Sequence, residues 1–218
     1  MIPVYIVHYD KLTDRYRSIM SGPFANFANI ITESSSIIRG CYKLNPEIWN
    51  ERCKGLYDKI PPFRELKHGD IECSDKHMTA LLEGQHLPGP FLVLEDDAIP
   101  NNHPIDIFRG IEEILFNKTW DVAIIGGAFE HTVAPTLWKE GNFIRKGNPS
   151  TNTVCGYIIK PSAASLLLTQ LFSCGYSLPI DFEYNYWFKV LNFKVVHYVP
   201  YLFTEGSSIG AFKGSQIR

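Results

Sequence analysis

The sequence predicts an α/β fold, and three observations carry that expectation. Short β-branched and aromatic runs, at Val4 to Val7, Phe91 to Leu94, Asp121 to Ile125 and Val154 to Ile159, alternate with longer stretches whose apolar residues recur at helical spacing. Proline and glycine punctuate the boundaries, with Pro104 and Pro161 suited to first helical turns and Gly84 and Gly175 to helix ends. Three adjacent carboxylates, Glu95-Asp96-Asp97, follow directly on one apolar run, at the strand end where open α/β sheets collect ligands.

Taken in order, Val4 to Val7 open the chain as a strand, and Thr13 or Asp14 caps a short helix through Met20. The intervening loop, His8-Tyr9-Asp10-Lys11-Leu12, is polar and available for binding. A second strand is expected around Ile37 to Tyr42, followed by an irregular segment with Pro46, Pro61 and Pro62. From Ile71, apolar residues at Met78, Leu81 and Leu82 mark one helical face, closed by Gly84 and Pro88 before the Phe91 strand. Pro104 opens a helix with Ile107, Phe108, Ile111, Ile114 and Leu115 in register, and Asp121 to Ile125 returns as a strand with Gly126-Gly127 after it. A Gly, Asn and Pro-rich loop spans Glu140 to Asn152. Val154 to Ile159 is then a strand, and Pro161 opens a helix turning Ala164, Leu167, Leu168 and Leu171 inward. Asp181 to Leu191 predicts a last helix, and Phe193 to Phe203 a strand interrupted by Pro200. No repeat or composition break marks a second domain, so one domain over residues 1–218 is expected.

Composition narrows the function. At 218 residues and 45% hydrophobic content the chain can bury a full core, and a formal net charge of −2 with mixed signs argues against the basic stripe of a nucleic-acid binder. The amino terminus lacks both a basic flank and an apolar stretch long enough for a signal peptide or a membrane span, so a cytoplasmic location is expected. Cys41, Cys53, Cys73, Cys155 and Cys174 are odd in number and scattered, which predicts reduced, mostly buried thiols. Asn117-Lys118-Thr119 fits a glycosylation sequon but means little without export.

Hard divalent metals prefer carboxylate oxygens and fill their remaining positions with substrate phosphate. The acidic triplet therefore suggests a metal-assisted site for a phosphate-bearing substrate, against the alternative that Asp96 or Asp97 simply begins the loop toward Pro104. On the triplet alone the two readings stand even. Arg15 and Arg17 follow the opening strand, and arginine matches phosphate oxygens bidentately; a solvated helix arginine is the competing reading for Arg15, and His8 carries the same ambiguity.

Val4-Tyr5-Ile6-Val7-His8-Tyr9-Asp10-Lys11-Leu12-Thr13-Asp14-Arg15 resembles the opening strand and arginine-bearing loop of family 25 glycosyltransferases, the lipopolysaccharide-type sugar transferases. Glu72-Cys73-Ser74-Asp75-Lys76-His77 is similar to that family's Cys and Ser-His helix, with Lys76 in place of the usual Ser. Leu94-Glu95-Asp96-Asp97 matches its acidic motif, and Gly156 to Ala163 and Pro179-Ile180-Asp181 its later segments. The long middle loops do not match. The resemblance implies a GT-A-like (Rossmann-like) mixed central sheet flanked by helices, and a divalent Mn2+ or Mg2+ that stabilises the departing diphosphate.

Carried over residue by residue, the resemblance implies Asp97 as metal ligand, with Glu205 standing where the family has Gln. The nucleotide-facing set is His8, Arg15, His77, Glu95 and Asp96, where Glu95 contacts the ribose or the metal through water and Asp96 orients the loop. Asp181 is the candidate base for an inverting transfer, against a reading as helix N-cap, and Glu183 is its fallback. His197 reads as a packed strand histidine, while His131 is available to face donor or acceptor. Gly206 to Gly210 form a small-residue loop able to close over a diphosphate. Cys73 and His77 stand at i and i+4, as two zinc ligands would, but no second pair accompanies them, so a helix face turned toward the nucleotide, or plain packing, is the expectation.

The expected function is a metal-dependent glycosyltransferase moving a sugar from a nucleotide diphosphate sugar, uridine-linked, to a carbohydrate acceptor, with no nucleic-acid partner. A metal-dependent nucleotidyltransferase is the alternative, although the His8 to Asp14 loop has no phosphate-cradling glycine. A non-catalytic carbohydrate-binding protein of the same fold is the third.

Overall fold

The apolar runs become the strands of one mixed sheet. In the computed structural model, which describes residues 2–54, 56, 60–117, 119–128, 143–144 and 153–212, the chain runs β1 (Val4–Val7), α1 (Thr13–Ser21), β2 (Ala28–Ile31), α2 (Pro46–Cys53), α3 (His68–Gly84), β3 (Phe91–Glu95), β4 (Ala98–Pro100), α4 (Pro104–Phe116), β5 (Val122–Ile124), β6 (Gly126–Gly127), β7 (Phe143–Ile144), β8 (Gly156–Ile159), α5 (Pro161–Cys174), α6 (Ile180–Val190), β9 (Val195–Tyr198) and β10 (Phe203–Glu205). Seven strands pair in the order β2-β1-β3-β8-β5-β9-β7, and β4-β10-β6 make a second, smaller sheet. β1 is parallel to β2 and β3, whereas β8 runs antiparallel to β3 and β5. The expected α/β architecture, a mixed central sheet flanked by helices, is what forms.

Side chains alternate between the faces of a strand, and the two cores follow that period. Phe91 and Val93 of β3, Tyr5 and Val7 of β1, and Tyr157 and Ile159 of β8 pack against Met78 and Leu81 of α3, Leu167 and Leu171 of α5, and Tyr184 and Phe188 of α6. Leu92, Leu94, Val4, Ile6 and Ile158 face the other way, onto Ile19 of α1 and Ile107, Ile111 and Ile114 of α4. Each such side chain contributes about 1.5–3 kcal/mol on leaving water. The α3-to-β3 turn also depends on Gly84, because a Cβ there would stand 2.3 Å from the Phe91 ring.

The structure corrects several sequence expectations. The segment around Ile37 to Tyr42 is a turn rather than a strand: Ile38 N–H donates to Ser35 O, Cys41 N–H to Ile38 O, and Gly40 takes a φ of 97° that a strand does not admit. The second strand is β2, Ala28-Asn29-Ile30-Ile31, a four-residue run in which only Ile31 is buried and which therefore lacks the apolar pattern of the inner strands. Part of the unassigned proline-bearing segment is α2, where the Asn45 side chain accepts from Glu47 and Ile48 N–H and Pro46 occupies the first turn. Helix α1 starts at Thr13 after Leu12, with neither Thr13 nor Asp14 capping it. Gly126-Gly127 follow β5 as expected and also pair as β6, and Pro200, in a cis peptide bond, interrupts the last strand region between β9 and β10. No helix among the described residues is long and apolar enough to cross a membrane. Lys118 of the sequon and His131 lie outside the described residues.

Candidate functional site

Strand register assembles the site. The parallel pairing of β1 with β3 sets Val7 against Glu95, so the chain leaves both strands at the same edge, and His8 and Asp96 meet. Antiparallel pairing of β10 with β4 sets Glu205 against Ala98, one residue beyond Asp97. Residues separated by more than a hundred positions thus converge at the carboxyl ends of the strands, as the acidic motif leads one to expect.

Alternation then divides the triplet. Glu95 shares the face of Phe91 and Val93 and points to α3, where its Oε1 lies 3.2 Å from His77 Nε2 and 3.7 Å from Cys73 Sγ. Asp96 turns to α1 and the β1 loop: Oδ2 accepts from His8 Nδ1 at 2.9 Å and from Tyr9 N–H at 3.1 Å, and Oδ1 accepts from Arg15 at 2.6 Å. Its carboxylate has no need of a ligand. Asp97 is held by its backbone, whose carbonyl accepts from Gly206 N–H at 2.8 Å, and through Oδ2, which accepts from Ser207 N–H at 3.3 Å and lies 3.7 Å from Arg15. Asp97 Oδ1 is buried with no hydrogen-bond partner among the described residues.

The electrostatics separate the same three residues. Burial works to raise the Asp96 carboxyl, but the bond from His8 and the charge and bond of Arg15 hold it below its ordinary range. Burial pushes Asp97 up against the opposing pull of Arg15. Burial, with the charges of Asp97 and Asp96, drives Glu95 up to about 8, and burial with Glu95 and Asp97 drives Glu205 up to about 7. Excess negative charge with one orphaned carboxylate oxygen is the condition that a hard divalent cation relieves. Asp97 and Glu205 therefore fit a metal.

Two clefts meet here. A smaller cleft is lined by His8, Arg15, Lys76, Glu95 and Asp97, and a larger one by Trp49, Arg64, Asp70 and Asp181. Cys73, Glu95 and Glu205 line both. Asp181 sits in the first turn of α6, whose N-cap is Pro179, so the capping role is not its own. Its Oδ1 accepts from Phe182 N–H at 3.0 Å. Burial raises its carboxyl to about 7, the Phe182 N–H opposing and the Glu95 charge adding.

Other candidates fall away from the clefts. His77 is fully buried, stacked on Tyr157 and bonded to its hydroxyl at 3.1 Å, and touches the site through Glu95; burial lowers it to about 3. Glu183 is enclosed with Arg52 and accepts Ser177 and Leu178 N–H, which leaves it structural. His197 is buried in β9 with Nδ1 3.0 Å from Tyr201 OH, and Arg17 pairs with exposed Asp14. Lys76 gains weight instead: its Nζ donates to His8 O at 3.1 Å and lies 5.0 Å from the Tyr9 ring centroid, a buried cation at the smaller cleft. Its departure from the family's Ser was the available signal. The 206–212 segment lies over the site, with Phe212 beneath the Arg15 guanidinium at 5.6 Å, and nothing in its Gly and Ser composition foretells that contact.

No family model matches this sequence, and no curated protein matches it. Among solved structures the chain is similar to the apo form of mouse xyloside xylosyltransferase 1, with 10% identity and a TM-score of 0.40 over 88% of this chain and 71% of that one. It is also similar to apo UDP-glucose pyrophosphorylase, with 12% identity and a TM-score of 0.42 over 96% of this chain and 95% of that one. At these values neither protein's activity transfers to this chain.

Proposed function

We propose that the protein is a metal-dependent glycosyltransferase that moves a sugar from a nucleotide diphosphate sugar, uridine-linked, to the hydroxyl of a carbohydrate acceptor with inversion. The observation that carries the reading is the meeting of two clefts at a shared carboxylate edge, one holding Arg15 and Lys76, the other Asp181. The family 25 resemblance of the segments that build that edge supports it.

In this reading Asp97 and Glu205 hold Mn2+ or Mg2+, with Glu95 beside them. Bound there, the cation supplies neutralisation of the charge that develops on the departing diphosphate. Arg15 and Lys76 face the phosphates in the smaller cleft, and Asp96 keeps Arg15 aimed. The acceptor occupies the larger cleft beside Trp49 and Asp181. Asp181 takes the proton of the acceptor hydroxyl as that oxygen attacks the anomeric carbon, and the nucleotide diphosphate leaves with the bonding pair of the broken C–O bond. A carboxyl raised to about 7 is suited to that task near neutral pH.

A calorimetric and thermal-shift screen of nucleotide diphosphate sugars, with and without Mn2+, tests the reading. One uridine diphosphate sugar binding only with Mn2+ is the expected result. Absence of binding by every donor with Mn2+ present sinks it.

A further inference from the structure

We propose that Cys73, His77 and Glu95 form a second cation site, selective for a thiophilic divalent metal of the zinc type and independent of the carboxylate site at Asp97 and Glu205. Cys73 Sγ, His77 Nε2 and Glu95 Oε1 all lie within 4.8 Å of one another, at 3.2 Å for the His–Glu pair and 3.7 Å for the Cys–Glu pair. A tetrahedral zinc ion, with bonds of about 2.0–2.3 Å to N, O and S, separates its donors by roughly 3.3–3.6 Å. The two separations from Glu95 already lie within a few tenths of an ångström of that range, and the Cys73–His77 pair, inside 4.8 Å, closes by side-chain rotation.

The fold supplies the remaining features of such a site. Cys73 and His77 are one helical turn apart on α3, and strand alternation delivers Glu95 to them from β3. His77 Nδ1 lies 3.1 Å from Tyr157 OH, and the ring is stacked on Tyr157 at an interplanar angle of 22°. That bond fixes the ring with Nε2 toward Glu95, as outer partners do for metal-bound histidines. Cys73 and Glu95 both line the two clefts, so a fourth position opens to solvent rather than to protein, the arrangement of three protein ligands and one exchangeable position. A thiolate, an imidazole and a single carboxylate select a softer ion than the all-oxygen pair beside them.

The test uses Co2+ as probe, added to the full chain after chelator treatment and without nucleotide. The expected result is a thiolate-to-cobalt charge-transfer absorption that saturates at one equivalent at this site, whatever Co2+ the carboxylate site also takes up, and that Zn2+ displaces. Cys73→Ser removes that absorption, His77→Gln weakens binding at least about tenfold, and Cys155→Ser and Asp97→Asn both retain it. In the unmodified protein Zn2+ slows alkylation of Cys73, read by peptide mass, which needs no variant to fold. A folded protein that shows no charge-transfer band, a band that survives Cys73→Ser or vanishes in Asp97→Asn, or Cys73 alkylation indifferent to Zn2+, overturns the site. Because no nucleotide is present, failure here leaves the transferase reading standing, and failure of the donor screen leaves this site standing.

Discussion

The Arg15 guanidinium donates to Asp96 Oδ1 at 2.6 Å while its other terminal nitrogen stands 3.7 Å from Asp97 Oδ2. One cation thus satisfies Asp96 and only partly offsets the buried charge of Asp97. Arginine also holds the fold of the β1 loop, because His8 and Tyr9 bind the same carboxylate.

Arg15→Ala is expected to cost about 2–4 kcal/mol of stability near pH 7, since it strips the partner from a buried carboxylate. The folded Asp96 carboxyl is held low, so its contribution is present above the unfolded value of about 3.9 and lost as pH falls through the folded value. Denaturant titrations at pH 7 and pH 3 should therefore show the gap between wild type and variant shrinking in acid. Arg15→Lys should not restore donor affinity, because a point charge does not reproduce the planar fork; calorimetry that found it fully restored would contradict the phosphate role.

Asp97→Ala should abolish metal-dependent nucleotide binding without destabilising the metal-free protein. Burial raises the Asp97 carboxyl, so its charge is a cost in the folded chain, and Oδ1 has no bond to lose. Melting with and without Mn2+ separates the two effects: wild type should gain stability with Mn2+ and lose it on chelation, and the variant should show neither change.

The acidic triplet stands out in the sequence as a place where charge must be offset, because three adjacent carboxylates at a strand end are costly on their own, yet its division of labour is not legible there. Which residue faces α3 and which faces α1 depends on the last paired position of β3, a register set by β1 and β8 rather than by the motif. The helices α3, α4 and α5 are readable because each carries a long apolar period and a proline or glycine boundary. Strand β2 and helix α2 are not, being short and held by pairing and by one Asn45 cap. Lys76 shows in the sequence only as a departure from the resembled family's Ser, and its place at the cleft emerges once α3 is laid beside the β1 loop.

Asp181→Asn gives the pH test of the base. With the carboxyl raised to about 7, the rate limited by proton removal should rise through about pH 7 in wild type, and Asp181→Asn should keep donor binding while transfer falls at least about a hundredfold. The stability sign is opposite to that of Asp96. Between the unfolded value and the raised folded one the native state holds the extra proton, so ionising Asp181 lowers stability as pH rises. Asp181→Asn should thus be more stable than wild type at pH 8, on the order of 4 kcal/mol, and no more stable at pH 4. Unchanged transfer in the variant removes Asp181 from the chemistry.

The buried pair of Arg52 with Glu183 supplies the contrasting case, a perturbed carboxylate that should matter for folding alone. Arg52 NH1 contacts Glu183 Oε1 at 2.5 Å and Gly175 O at 3.0 Å, and its guanidinium lies 5.2 Å from the Trp187 ring centroid. Glu183 Oε1 also accepts Ser177 and Leu178 N–H, so the pair ties α2 to the turn before α6, the helix that carries Asp181. Arg52→Met leaves that carboxylate buried without its cation and should cost about 3–5 kcal/mol. Glu183→Gln keeps one acceptor for the two N–H groups and should cost less. In the folded fraction of Glu183→Gln the pH dependence of transfer should match wild type, because a residue that only positions α6 has no proton to exchange with the acceptor. A shift of the acidic limb in that variant would return Glu183 to consideration as the base, and an unshifted limb with a lowered melting temperature assigns it to the fold.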